Sequence, residues 1–174
     1  MSGINYDLTK IKAFVFDVDG VLSPSTIPMN DNGEPMRMVN IKDGYALQLA
    51  AKNGYQLAII TGGKTESVRY RYEALGIKDI YLGAGKKNEV FEKWMNLRGL
   101  EPSEVAYMGD DIPDLQCLKM AGLACAPADS CHEVKETAQY VSRYNGGYGC
   151  ARDLIEQVLQ AQGEWLKDNK AFGW

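Results

Sequence analysis

Asp17 and Asp19 stand one residue apart, directly after the apolar run Ala13, Phe14, Val15 and Phe16. Two carboxylates that close repel each other, and the repulsion grows beside buried apolar chain unless a cation lies between them. Other polar groups extend the pattern: Thr61-Gly62 after QLAII, Lys87 within GAGKKNE, and Asp110-Asp111 within GDDIPD after EVAYM. Asp17, Asp19, Asp110 and Asp111 offer hard oxygen ligands and no soft ones, a choice that selects Mg²⁺ over zinc. Magnesium keeps several waters and shares phosphate oxygens. Thr61 and the Gly62 N–H suit phosphate oxygens, and Lys87 adds a point charge. The set is therefore suited to a phosphoryl group.

Hydrolysis of a phosphate monoester is among the slowest uncatalysed reactions, with enzymatic accelerations of up to about 10²¹. General acid–base catalysis supplies only about 10²–10⁴ of that. A carboxylate nucleophile that forms an aspartyl-phosphate splits the barrier in two, and a metal and a lysine stabilise the moving charge. Asp17 fits the nucleophile. Asp19, two residues on, fits the acid to the leaving alcohol and then the base to water.

Such residues must be brought to one place by the elements that carry them. Short β-rich runs at about 12–16, 56–60, 79–82, 104–108, 123–126 and 139–142 alternate with helical periods at about 43–53, 64–75, 86–98, 112–121, 131–137 and 149–162. This predicts an α/β fold with a doubly wound, mostly parallel sheet covered on both faces. Each polar group then falls at or just beyond the carboxyl end of a strand, the edge where open α/β sheets bind ligands. Singly, each has an ordinary structural explanation as a turn, a cap or a first-turn charge. Gly54, Gly76, Gly99 and Gly122 each follow a helical segment, which predicts left-handed C-caps.

The stretch TIPMNDNGEPMRMVNI, with turn residues Asn30, Asp31, Asn32 and Gly33, breaks the rhythm after the first strand. It is read as a small β-hairpin insertion at about 25–40, with a plain loop as the alternative. Without a repeat, low-complexity tract or linker, residues 1–174 are expected to form one domain. The tail at about 163–174 is expected either to be mobile or to pack on another subunit through Trp165, Phe172 or Trp174.

At 174 residues, 45% hydrophobic and 24% charged, the chain can build a sizeable core and disorder is not expected. A net charge of -4 argues against long-range attraction to nucleic acid or an anionic membrane. No stretch approaches the roughly 20 apolar residues of a bilayer span, and the start lacks a basic segment followed by an apolar one, so export is not signalled. Cys117, Cys125, Cys131 and Cys150 show no C-x-x-C spacing and are expected to be reduced thiols. His132 stands alone as a histidine and suits a solvated loop or helix start.

Asp17-Val18-Asp19-Gly20, Thr61, Lys87 and Gly109-Asp110-Asp111-Ile112-Pro113-Asp114, in that order, resemble the haloacid dehalogenase superfamily of phosphatases. The resemblance implies a Rossmann-like sheet without a large cap domain. It makes Asp17 the nucleophile, Asp19 the acid/base and Asp110 the third protein contact to Mg²⁺, with Asp19 reaching the ion through its backbone carbonyl. Asp111 and Asp114 would orient the metal waters and Lys87. NIKDGYAL at 40–47, TGGKTESVRYR at 61–71, GAGKKNEVF at 83–91, GGYGCARDL at 146–154 and LQAQG at 159–163 are similar to the branch that hydrolyses phosphorylated 2-keto-3-deoxy sugar acids.

That branch implies an eight-carbon octulosonate 8-phosphate substrate in the cytoplasmic supply of a lipopolysaccharide sugar, with a nine-carbon nonulosonate 9-phosphate as the alternative. It also implies a homotetramer, a substrate loop of Asn40, Ile41, Lys42, Asp43 and Gly44, and a sugar-acid contact from Arg71. Gly63, Gln48 and Tyr148 stand where the branch often has arginine. A phosphoaspartate receiver domain shares many of these residue types but needs its accepting aspartate after the third strand, where Leu82-Gly83 stand. A binding protein that has lost turnover finds no support in a chain that keeps all the reactive groups. YLGAGKKNE lacks both the spacing and the Ser/Thr of a nucleotide P-loop.

Overall fold

The computed structural model describes residues 3–174. Along the chain run β1 (Ala13–Phe16), α1 (Ile41–Lys52), β2 (Gln56–Ile60), α2 (Glu66–Glu73), β3 (Asp79–Tyr81) and α3 (Lys87–Arg98). They are followed by β4 (Val105–Met108), α4 (Leu115–Met120), β5 (Leu123–Ala126), α5 (His132–Thr137), β6 (Tyr140–Val141) and α6 (Cys150–Ala161). The strands form one parallel sheet in the order β3-β2-β1-β4-β5-β6. β1 lies at the centre, and the strand order reverses beside it, a topological switch point.

Alternation along the central strands feeds two cores. Phe14, Phe16, Leu57, Ile59 and Met108 face α1, α2 and α6, where Leu47, Tyr72 and Ile155 are buried. Ala13, Val15, Ala58, Ile60 and Tyr107 face α3, α4 and α5, where Phe91, Trp94, Leu118 and Val134 are buried. Helices on both faces explain why β1 reads as a continuous apolar run.

The structure differs from the expectations at identifiable points. α1 begins at Ile41 because the Asn40 side chain caps it, accepting from the N–H groups of Lys42 (2.9 Å) and Asp43 (3.1 Å). The segment before α4 is a 3-10 turn, Ile112–Asp114, which accommodates Pro113. Gly54, Gly76 and Gly99 do adopt positive φ, but Gly122 does not. Gly122 instead lets its backbone approach Pro102, donating to that carbonyl at 2.7 Å where a Cβ would clash.

The insertion turns back on itself, with Asn30 donating to the Glu34 carbonyl and Met36 to the Pro28 carbonyl. Its arms share only one bridge, Met29–Pro35, so it is a minimal hairpin rather than a strand pair. The tail lies on its own chain: Trp165 and Trp174 meet the Tyr45 ring edge-on, and the Tyr45 hydroxyl donates to the Ala171 carbonyl at 2.6 Å. Phe172 and, despite that ring contact, Trp174 stay exposed. Cys117, Cys125 and Cys150 are buried free thiols, Cys131 is partly buried, and exposed His132 starts α5.

Candidate active site

The register of the sheet determines which side chains meet. Phe16 pairs with Met108 on one side and Ile59 on the other, so the residues that follow emerge together: Asp17, Gly109-Asp110 and Thr61. Asp17 extends the ladder by donating its N–H to the Met108 carbonyl at 3.1 Å. The chain then turns sharply. The Gly20 N–H donates to the Ser23 carbonyl, and Gly20 adopts φ +87°. A Cβ at Gly20 would fall within the Asp110 carboxylate, so this glycine is what lets the two acidic loops approach.

Lys87 opens α3, where the helix dipole disfavours a cation. Two carboxylates hold it there: its Nζ lies 2.7 Å from Asp17 Oδ2 and 2.9 Å from Asp114 Oδ1. Burial works against the ammonium, but Asp17 and Asp114 outweigh it and push its pKa up to about 12. Asp114 is the most saturated member, accepting also from the Tyr107 hydroxyl (2.8 Å) and the Asp110 N–H (3.1 Å). Asp17 Oδ1 accepts from the Val18 N–H at 2.7 Å. The Asp110 carboxylate accepts no hydrogen bond among the described residues.

The electrostatics of this cluster fit a divalent cation. Carboxylate oxygens of Asp17, Asp110 and Asp114 lie within 4.8 Å of one another. Against those three negative charges stands one ammonium, so two charges remain uncompensated. Burial, then Asp17 and Asp114, push the Asp110 carboxyl up to about 7. Burial and then Asp114 raise Asp17 likewise, against the pull of Lys87. Because Asp114 is committed to three donors, a hard cation would be held by Asp110, whose carboxylate accepts no hydrogen bond among the described residues, and by Asp17, each of whose oxygens has a single partner, Val18 N–H or Lys87.

A cavity of about 500 Å³ opens over the cluster, lined also by Asp19, Thr61, Gly62, Gly63 and Asp111. Thr61 is buried, and its hydroxyl accepts from the Gly63 N–H at 3.1 Å. Asp111 is exposed and caps the 3-10 turn through the Ile112 N–H. Asp19 is gripped from the insertion by Arg37, whose Nε and Nη2 donate to its two carboxylate oxygens at 2.6 and 2.8 Å.

Asn40 and Lys42 do not line this cavity. They line a larger one of about 970 Å³, together with Arg143, Tyr148 and Arg152. The Asn40 amide donates to the Gly147 carbonyl, Ile41 is exposed, and buried Asp43 accepts from the Arg152 N–H at 2.7 Å. Burial pushes the Asp43 carboxyl up to about 6, against the Arg152 and Gly149 backbone N–H groups. Arg71 presses Nη2 onto Gly44, where a Cβ would lie 2.5 Å away, and its buried Nε has no hydrogen-bond partner among the described residues. In this single chain Asn40 and Lys42 of the expected substrate loop therefore open onto a different cavity from the acidic cluster, and Ile41, Asp43, Gly44 and Arg71 line neither of the two.

Residues 40–122 match the family model described as haloacid dehalogenase-like hydrolase. The chain is 38% identical over 154 residues, 88% of its length and 82% of the relative's, to 3-deoxy-D-manno-octulosonate 8-phosphate phosphatase KdsC of Escherichia coli K12. The chain belongs to the haloacid dehalogenase-like hydrolases. Among solved structures of this family, the Moraxella catarrhalis octulosonate 8-phosphate phosphatase, in complex with magnesium, phosphate and KDO, matches at TM-score 0.86 and 34% identity, covering 90% of each chain. The cobalt-bound Haemophilus influenzae phosphatase matches at TM-score 0.89 and 31% identity, covering 95% of this chain and 98% of that one.

Two residues of the site escaped the sequence reading. Tyr107 sits in an apolar strand, where a tyrosine looks like core; its signal was a hydroxyl on a fully buried strand, which needs a partner. Arg37 lies in an aperiodic insertion, and nothing in its neighbourhood points to the loop after β1.

Proposed function

We propose that this chain is a Mg²⁺-dependent phosphatase that converts 3-deoxy-D-manno-octulosonate 8-phosphate to the free sugar acid and phosphate. The observation that carries the reading is the meeting of Asp17, Lys87, Asp110 and Asp114 beside Thr61 at the carboxyl edge of the sheet. In this reading an Asp17 carboxylate oxygen attacks phosphorus, and the ester oxygen leaves with a proton from Asp19. Asp19 then takes a proton from the water that cleaves the aspartyl-phosphate. Thr61, the Gly62 N–H and Lys87 bind phosphoryl oxygens, and Lys87 also balances charge on Asp17. Asp17, Asp110 and the Asp19 carbonyl would hold Mg²⁺, which when bound neutralises phosphoryl charge and lets the carboxylates stay ionised together. Asp114 acts by fixing Lys87 and the Asp110 backbone.

The substrate's sugar-acid end is proposed to reach Arg71 and the Asn40–Gly44 segment. The incompletely paired Arg71 guanidinium supports this. The separation of the two cavities supports completion of the site by neighbouring subunits in a homotetramer, as do exposed Met29, Met36, Met38 and Ile41 on and beside the insertion. Light scattering should then return four times the 19.3 kDa chain mass. Residues 1–174 are read as one domain. A cytoplasmic location accords with the four free thiols; no described helix is long and apolar enough to cross a membrane.

The deciding assay is phosphate release with excess Mg²⁺ from the eight-carbon octulosonate 8-phosphate, nine-carbon nonulosonate 9-phosphates and simple sugar phosphates. A kcat/KM for the eight-carbon acid at least about tenfold above the others, about 1.4 kcal/mol, is expected. A nine-carbon preference would reassign the substrate, and no release from any ester would refute the phosphatase reading. Asp17→Asn should abolish turnover with the fold retained.

A further inference from the structure

Arg37 is an anomaly on its own segment. Its neighbours Met36 and Met38 are about half exposed, yet its side chain is 8% exposed while the Asp19 side chain it grips is 36% exposed. Three of its nitrogens donate: Nε and Nη2 to the two oxygens of Asp19, and Nη1 to the Thr65 hydroxyl at 3.1 Å. Immobilising a rotamer-rich side chain carries an entropic penalty. The bidentate fork offsets it by fixing the direction of the Asp19 carboxylate as a single hydrogen bond does not.

The space for this fork is provided from the other side. A Cβ at Gly63 would lie 2.5 Å from Arg37 Nη2 and 3.3 Å from Cζ. Gly63 is not in the left-handed region, so its backbone accepts a side chain and only the guanidinium forbids one. The insertion has one bridge of its own, so Arg37 is also its chief tie to the loops after β1 and β2.

We infer that Arg37 is a positioning residue for the phosphatase reaction: seated over Gly63, it fixes the Asp19 carboxylate and makes that carboxylate's aim depend on where the insertion lies. The inference rests on the phosphatase reading. Arg37 acts through Asp19, so its removal must be felt where the leaving group needs a proton and spared where it does not. Arg37 touches no part of the acidic cluster by hydrogen bond or ion pair other than Asp19.

The test compares kcat/KM for propyl phosphate, whose alkoxide must be protonated, with p-nitrophenyl phosphate, whose phenolate leaves unaided; neither carries a carboxylate. Arg37→Ala is expected to lower the propyl-to-aryl ratio at least about tenfold, with no further change in an Asp19→Asn background. Gly63→Ala should lower the same ratio by pushing the guanidinium aside, and should be silent in Arg37→Ala, where its Cβ meets only Thr61 Oγ1 at 3.4 Å. Equal losses on both esters, or a Gly63→Ala effect that persists without Arg37, would overturn the inference. Circular dichroism checks that each variant is folded. Wild-type protein that releases phosphate from neither of these esters nor from any sugar phosphate of the panel would remove the phosphatase reading itself and this inference with it, whereas active wild type with an unmoved ratio removes the inference alone.

Discussion

Replacing Asp17 by asparagine should make the metal-free protein more stable while it destroys turnover. The folded carboxyl is raised from 3.8 to about 7 by burial and then by Asp114, with Lys87 pulling the other way. At 1.36 kcal/mol per pKa unit, keeping that group ionised at pH 8 destabilises the fold by up to about 4 kcal/mol. Because the folded value lies above the unfolded one, the penalty is complete above pH 7, fades as the pH falls and vanishes below about 4. Asparagine does not titrate and still offers an acceptor to the Val18 N–H, so the variant should gain about 1–4 kcal/mol at pH 8 in EDTA. For a chain of this size each kcal/mol moves Tm by about 2–4 °C.

Urea unfolding at pH 8 and pH 5, with and without Mg²⁺, reads the effect directly. The advantage of the variant should shrink at pH 5. It should shrink also in Mg²⁺, which stabilises the wild type by about 2.7 kcal/mol at a hundred times its Kd. A variant no more stable than wild type at pH 8 in EDTA, or one whose advantage grows on acidification, would refute the electrostatic reasoning.

Gly146→Ala would drive a Cβ into the Gly20 carbonyl, backbone against backbone, so a loss of more than about 2 kcal/mol is expected. Gly62→Ala, which meets nothing within 4 Å, serves as the stability control in the same melts. Tyr107→Phe removes a buried donor from the Asp114 carboxylate and should cost about 1.5–3 kcal/mol by urea titration. Arg152 places its guanidinium 5.5 Å from the Tyr45 ring centre and 5.3 Å from that of Trp165. Arg152→Met should therefore lower stability by about 0.5–2 kcal/mol and alter tryptophan emission as the tail loosens. Unchanged emission would mean that the tail is held independently of Arg152.

The strands and most helices were legible because burial on both faces leaves an unmistakable mark: the unbroken apolar runs Ala13–Phe16 and 57–60 belong where helices cover both faces of a sheet. The convergence of Asp17, Lys87 and Asp110 followed from the same logic, since parallel strands deliver their ends to one edge. Contacts made by irregular chain were not legible. Arg37 reaches Asp19 across an insertion whose course is set by turns, and no periodicity marks which side chain points inward. Gly122 was misjudged because a glycine after a helix has two uses, a left-handed cap and a close approach, and the approach to Pro102 involves a distant segment. The tail raised the same difficulty: its aromatic residues do not say which surface they meet, and Trp165 meets the chain's own α1 and α6 side while Phe172 and Trp174 stay exposed.

That α1 and α6 pack together has a consequence for how the molecule is made. The face of α1 bearing Ala46, Leu47 and Ala50 is covered by Leu154, Ile155 and Val158, which leave the ribosome only after five of the six strands have followed β1 out. Until then a nascent chain carries an uncovered apolar helix beside a sheet whose six strands have all been made, a long-range arrangement that closes slowly and invites association. Chains cut short before Cys150 should therefore be captured by chaperones or aggregate, although every residue of the acidic cluster has already been synthesised.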